Sequence, residues 1–319
     1  MSVGYQKEIL AATFGGKGWS PRTQTLGQEM GTLWGDWGQN LEWAPLEAVL
    51  LHRPGPEVEG LTDPEAVQML DTLDVDRFRQ EHDGLAEAYR NEGIEVHYLN
   101  PGEPVTPNNI FCADLLFMTP EGAILARPAS TVRAGEERFV ARRLAALDVP
   151  ILMSVHGEGV FEGADAVWID EGTAIVATGL RTNEAGADQV EWALRSIGAD
   201  VIRVDLPYGS MHFMGTLRVA GPGIATGFPG RTPHRAVRAL RERGYDVLWA
   251  PDMEEIGRSA LNYVPLGPKK ILMAADCPRT QAFYEGAGIE CVTVEIGELR
   301  KAAGGMGCLT GVLKRTKEK

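Results

Sequence analysis

Ala166-Val167-Trp168-Ile169, Asp170-Glu171-Gly172, Ala174-Ile175-Val176-Ala177: here two short apolar runs flank a three-residue turn. Apolar runs of this length on either side of a glycine-containing turn predict a β-hairpin. A helical stretch over 187–197 and a strand over 200–204 follow. The same order recurs on both sides. Upstream, 114–118 faces 123–126 across Thr119-Pro120-Glu121-Gly122, before a helix at 136–147 and a strand at 149–153. Downstream, 216–219 and 224–226 precede helix 233–243 and strand 246–250. Segments 260–264 and 270–273 precede helix 280–286 and strand 290–294. A first unit starts at Leu46, with strand 48–52, helix 75–91 and strand 94–99. Strand, turn, strand, helix, strand thus returns about five times, at roughly 40–55 residues, a period typical of repeat architectures.

Units that cannot bury their own apolar faces pack on one another. Five of them predict a closed α/β ring, each small mixed sheet a blade, with loops converging on a central axis. A doubly wound sheet is disfavoured, because no G-x-G-x-x-G follows any strand. A hairpin inside each unit also fits poorly with a wholly parallel order. Residues 1–44 stand apart as an N-terminal arm, and 45–319 form a single domain. Trp19, Trp34, Trp37 and Trp43 give the arm four of the chain's seven tryptophans. Trp is enriched at interfaces, so the arm packs on the body or on a partner chain, which fits a homodimer. Gly15-Gly16-Lys17-Gly18 lacks the Walker A order and is not read as a phosphate loop.

Composition narrows the function. The 319 residues are 44% apolar and 24% charged, with a formal net charge of −13. That acidity argues against nucleic acid, whose phosphates require a basic face, and is compatible with a small cationic substrate. Cys112, Cys277, Cys291 and Cys308 form no C-x-x-C pair, so no zinc ribbon or dithiol motif is indicated. Few cysteines suit a reducing cytoplasm. There is no secretory signal pattern at the N-terminus, and no apolar run approaches the ~20 residues that cross a bilayer. No metal, cofactor or membrane is expected.

The loops between units hold the unusual polar residues. They are Pro107-Asn108-Asn109-Ile110-Phe111-Cys112-Ala113-Asp114, the run from His156 through Glu162 to Asp165, and Tyr208-Gly209-Ser210-Met211-His212-Phe213-Met214-Gly215. The last is Gly304-Gly305-Met306-Gly307-Cys308-Leu309-Thr310-Gly311 before a short apolar strand. Taken singly, each has a plain structural explanation: a buried thiol, a core histidine, turn-capping carboxylates, or Asp114 paired with a structural arginine. Their recurrence at one position of each repeat instead points to a nucleophile, an acid/base and a cation-binding set.

These motifs resemble the guanidine-modifying superfamily, the penteins, which includes dimethylarginine dimethylaminohydrolases, arginine deiminases and amidinotransferases. The resemblance runs from about Leu46 to Arg315, strongest at Phe161-Glu162-Gly163-Ala164-Asp165, Gly179-Leu180-Arg181-Thr182-Asn183, His212 and Gly307-Cys308-Leu309-Thr310. It implies a five-bladed αβ-propeller with Cys308 as nucleophile, His212 as general acid/base and Glu162 as the carboxylate that orients or helps bind the guanidinium. It further implies Asp114 as a guanidinium ligand, Arg127 and Arg181 as carboxylate ligands, and Asn108, Asp165 and Met214 as substrate-pocket residues. Met214 stands where deiminases and amidinotransferases usually carry aspartate, which resembles the dimethylarginine hydrolases. Asn108, Ala113 and Ala164 depart from the common Asp, Glu and Gly of that group. The implied reaction is cofactor-independent hydrolysis of a guanidino C–N bond, with amidino transfer as the alternative. A non-catalytic propeller would lack the Cys-His-Glu set. The glycines around Cys308 are expected to let a flat guanidinium lie against sulfur.

Overall fold

The computed structural model describes Thr13, Gly15 and residues 18–317. Its strands form five three-stranded sheets. The repeat quoted above becomes β6 (Ala166–Asp170), β7 (Thr173–Thr178) and β8 (Asp200–Asp205), with helix Glu184–Ser196 crossing from β7 to β8. β6 pairs antiparallel with β7 through the Asp170-Glu171-Gly172 turn, and β8 lies parallel to β7 from Thr173↔Asp200 to Thr178↔Asp205. A helix is what a parallel return requires, because the chain must cross the sheet before re-entering it. Three other sheets follow this plan. They are β3 (Leu116–Thr119), β4 (Gly122–Leu125) and β5 (Ile151–Ser154); β9 (Leu217–Gly221), β10 (Ile224–Gly227) and β11 (Asp246–Trp249); and β12 (Val264–Gly267), β13 (Lys270–Ala274) and β14 (Glu290–Val294).

The remaining sheet is assembled differently. β1 (Leu46–Leu51) lies between β2 (Glu95–Tyr98) and β15 (Gly311–Arg315). β15 runs antiparallel to β1, with Val49 opposite Val312 and Leu50 opposite Gly311. The first unit therefore takes its hairpin partner from the far end of the repeat series. The sheets touch in a closed cycle. β15 meets β3, β3 meets the turn before β6, and β6 meets the turn before β9; β9 then meets β12, and β12 meets β1.

The core lies between neighbouring sheets. Leu50 and Leu313 pack with Leu116, Leu125 and Phe139, while Phe117 and Ile124 pack with Trp168 and Val176. Trp168 stacks on Phe117 with ring centroids 5.8 Å apart, and its indole N–H donates to the Met118 carbonyl at 3.0 Å. Burying an aromatic whose polar edge is also satisfied stabilises such a seam. The inner hairpin strands are buried along their length, as in β4 and β7, whereas β5 and β8 are partly exposed. This explains why the inner strands read as continuous apolar runs rather than alternating ones.

Two expectations shift. The segment 260–264 is not a strand: a short helix, Met253–Gly257, is capped at Arg258, Ser259 follows with φ +74°, and β12 begins only at Val264. The Cys308 stretch is not an open loop but one helical turn, Met306–Leu309. Of the arm, Gly16, Lys17 and the Walker-like reading lie wholly or partly outside the described residues. Beyond them, Trp37 donates to the Leu147 carbonyl at 2.7 Å, Gly38 bridges to Lys314, and Trp43 donates to the Tyr245 hydroxyl at 3.3 Å. This part of the arm packs on the body, while Trp19 and Trp34 remain exposed.

Candidate active site

The turn entering the strand occupies the same place in four of the sheets, before β3, β6, β9 and β15, and those turns meet. The turn Cys112–Leu115 before β3 contacts both the turn Gly163–Asp165 before β6 and the turn Met306–Leu309 before β15. The turn Gly163–Asp165 also contacts the turn Phe213–Gly215 before β9. Asp114, Glu162, His212 and Cys308 are brought together by this repetition, although they are scattered in sequence.

Their hydrogen bonds divide the work. His212 Nε2 lies 2.6 Å from Glu162 Oε2. The other Glu162 oxygen accepts from the Ala129 N–H at 3.1 Å and from Arg181 Nη1 at 3.5 Å. Burial pushes the Glu162 carboxyl up, but the His212 bond and the charges of His212, Arg133 and Arg181 outweigh it and hold the carboxyl well below its ordinary range. Burial likewise opposes the His212 cation, and Asp114, Glu162 and Asp165 overcome it, raising His212 above its ordinary value. The pair is an imidazolium against a carboxylate.

Asp114 is arranged differently. Its Oδ2 accepts from Arg133 Nη1 at 2.6 Å, whereas its buried Oδ1 has no hydrogen-bond partner and lies 3.9 Å from His212 Nε2. Arg133 was not anticipated from the sequence. It is buried, with Nε donating to Glu136 at 2.8 Å, Nη1 3.5 Å from Glu162, and its guanidinium over the Phe111 ring at 5.7 Å. Its position in Ser130-Thr131-Val132-Arg133, an unremarkable polar turn, carries no periodic signal. Burial pushes Glu136 up to about 7, against the pull of Arg133 and Thr106.

Cys308 is half-buried, and its thiol is pushed up to about 11 by burial and by the Asp114 charge, against the hydrogen bonds of its turn and of Asn262. Cys308 and His212 are shared walls of two spaces. One is a tight cleft of about 30 Å³ that also touches Asn108, Asp114, Arg133 and Arg181. The other is a wider chamber of about 250 Å³ that reaches Thr216, Arg231 and Asn262. Three of the remaining sequence candidates fall elsewhere. Arg127 donates to the Gly159 carbonyl at 2.9 Å and does not line either space. Asp165 is fully buried behind His212, accepting from the Phe213 N–H at 2.9 Å and the Thr182 hydroxyl at 2.7 Å, and burial lifts it to about 6. Met214 lines a separate cavity of about 40 Å³ behind Gly307. Asn108 reaches the cleft while its amide donates to the Val67 carbonyl at 2.8 Å, next to Gln68, a further cleft residue that sequence gave no reason to select.

The glycines beside Cys308 answer to the protein rather than to a ligand. A Cβ on Gly304 would overlap the Phe111 ring, and one on Gly305 or Gly307 would lie 2.7 or 2.8 Å from Asn262 Oδ1. None of these three has positive φ, so close packing, not a left-handed backbone, demands glycine here. Among the described residues, Asp114, Glu162 and His212 have the spacing to hold a metal ion. The Arg133 guanidinium already lies against both carboxylates, and a second resident cation would be repelled by it.

The family model for eukaryotic N,N dimethylarginine dimethylhydrolase matches residues 70–206. The N(G),N(G)-dimethylarginine dimethylaminohydrolase of Streptomyces coelicolor is 29% identical over 83% of this chain and 96% of its own length. Among solved structures, an amidinotransferase of the saxitoxin pathway from Microseira wollei superposes with TM-score 0.73 at 15% identity, covering 89% of this chain and 99% of that one. A dimethylarginine dimethylaminohydrolase bound to S-methyl-L-thiocitrulline superposes with TM-score 0.71 at 21% identity, covering 85% and 100%. With five small sheets in a pseudo-fivefold αβ arrangement, the chain is similar in sequence and fold to enzymes of the guanidine-modifying superfamily, the penteins. Within it, these sequence matches fall on the dimethylarginine dimethylaminohydrolases. Among the described residues no helix is long and apolar enough to cross a membrane.

Proposed function

We propose that this protein is an amidinohydrolase that cleaves a C–N bond of a guanidino compound (arginine, a methylated arginine or a related guanidino acid) and releases a ureido product with an amine or ammonia. The observation that carries this reading is the unpartnered Asp114 Oδ1 beside Cys308 and His212. A buried anionic oxygen without a donor is costly, and a planar cation with several N–H groups relieves that cost. The matched dimethylarginine dimethylaminohydrolases support the same substrate class. Glu162, fully engaged by His212, Ala129 and Arg181, serves to orient the histidine.

Chemistry follows from these charges. Burial and the Asp114 charge oppose the Cys308 thiolate and favour the thiol. A guanidinium against Asp114 offsets that charge and favours loss of the thiol proton to solvent, giving the thiolate, the reactive form. Sulfur attacks the guanidine carbon, a C–S bond forms, and the C–N bond breaks as protonated His212 delivers its proton to the departing amine. A water molecule then loses a proton to His212 and attacks the same carbon. The C–O bond forms and Cys308 leaves as thiolate. Arg181, at the cleft wall, is suited to a substrate carboxylate. We read the five sheets as blades of a propeller about this site, with 45–319 as one domain, in a cytoplasmic protein whose Trp19- and Trp34-bearing arm pairs two copies.

Turnover of arginine, methylated arginines and short guanidino acids tests the reading, measured as ureido product and released amine. Acid-quenched labelled substrate is expected on Cys308. Unimpaired turnover by Cys308→Ala would overturn it. The chamber of about 250 Å³ on the other flank of Cys308 favours one second reading, amidino transfer to an acceptor amine. Acceleration of substrate loss by glycine or lysine, with the amine appearing in product, would select it.

A further inference from the structure

Asn262 sits directly behind the nucleophile's turn, in a segment whose apolar neighbours hide it in the sequence. Its Oδ1 accepts from the Gly307 N–H at 2.7 Å and from the Cys308 N–H at 3.3 Å. Its Nδ2 lies 3.2 Å from Cys308 Sγ. An amide can be turned either way, and its neighbours decide which. Two backbone donors face one end, so that end is the oxygen and the N–H₂ end faces sulfur. The Asn262 carbonyl also accepts from the Gly307 N–H at 3.3 Å, and Ser259, in a left-handed conformation, starts the turn that carries the residue. Gly305 and Gly307 leave the room this side chain occupies.

We propose that Asn262 is a catalytic residue that stabilises the Cys308 thiolate by donating its Nδ2–H to sulfur, besides clamping the turn through Oδ1. A hydrogen bond donated to the charged form of an acid favours that form. The thiolate has no proton and accepts this bond more strongly than the thiol does. The other charges around Cys308 work in both directions: Asp114 opposes the thiolate, and Arg218, on the far side of the turn, assists it. Asn262 is the side chain that touches the sulfur itself. The inference rests on Cys308 being the nucleophile, but its test requires no substrate.

The experiment is the pH dependence of Cys308 alkylation by iodoacetamide, with the site of labelling assigned by mass spectrometry. The wild type is compared with Asn262→Asp and Asn262→Ala. Asn262→Asp keeps an oxygen for the Gly307 and Cys308 N–H groups but presents a carboxylate to sulfur. Its alkylation midpoint is expected to move up by a unit or more, slowing the reaction at pH 8 about tenfold or more. Asn262→Ala is expected to move the midpoint the same way, by less. Thermal melting establishes that each variant is folded. A wild-type midpoint in a folded Asp or Ala variant would overturn the proposal, and would leave Asn262 as a backbone clamp only. Absence of guanidine turnover in the wild type, with the expected alkylation shifts in the variants, would count against the proposed hydrolase and not against this role.

Discussion

In the proposed reading Asp114 exerts two opposed effects on Cys308: its charge raises the thiol, and its free oxygen is the seat offered to a guanidinium. Asp114→Asn should therefore move two measurements in opposite directions. Turnover of a guanidino substrate is expected to fall by about 10²–10³, the scale of losing one preorganised electrostatic contact. Alkylation of Cys308 near neutral pH should quicken severalfold, because less negative charge opposes the thiolate. A parallel fall in both would disprove this division. The His212–Glu162 pair makes a pH prediction. Folding raises His212 from its ordinary 6.5, so its stabilisation is complete below that pH and fades as pH climbs toward the folded value. Folding lowers Glu162 from its ordinary 4.5, so its stabilisation is complete above that pH and fades as pH drops. The urea-stability gap between wild type and His212→Gln is thus expected to be widest between roughly 4.5 and 6.5. A gap constant across pH would contradict the ion pair. At this scale the sequence was partly legible. Cys308, His212, Glu162 and Asp114 stood out because loops repeat their positions. Arg133 and Asn262 did not, because one lies in a plain polar turn and the other among apolar residues that imitate a strand.

The turn Met306–Leu309 is held at both ends by contacts that the sequence could not announce. Thr310 donates to the Met306 carbonyl at 2.7 Å, and the same hydroxyl lies 2.7 Å from the buried Tyr89 hydroxyl. Thr310→Val leaves that carbonyl and that phenol without their partner at nearly unchanged volume. A loss of about 1–3 kcal/mol in denaturant stability is expected, together with slower alkylation of Cys308 as its turn loosens. A destabilisation with unchanged alkylation would separate the turn's cap from the thiol's placement. Gly304→Ala is a harsher change, since its Cβ meets the Phe111 ring. A comparable or larger drop in melting temperature is expected, consistent with overpacking a filled site. The hairpin–helix–strand units were visible beforehand because their apolar runs and turns are local signals. The conformation of the Cys308 segment was not, because glycines imply room without saying what fills it.

Across the whole molecule, stability rests on five seams and on one strand that completes a sheet begun far away. Leu313 is buried in the seam joining β1 and β15 to β3 and β4. Leu313→Ala is expected to cost about 2–5 kcal/mol, and to lower a single cooperative transition rather than release one sheet early, because the contact cycle leaves no sheet with fewer than two neighbours. A separate early transition would show the sheets to be independent. The repeat count and ring were legible from the chain's periodicity. The pairing of β15 with β1 was not, since nothing local in Gly311-Val312-Leu313-Lys314-Arg315 names a partner near residue 50. That pairing also sets an order of events during translation. Four sheets, His212 and Asp114 are made before residues 306–315 leave the ribosome, while β1 still has an open edge. Cys308 and the strand that covers that edge then arrive together, so a nascent chain acquires its proposed nucleophile only as its exposed strand edge disappears.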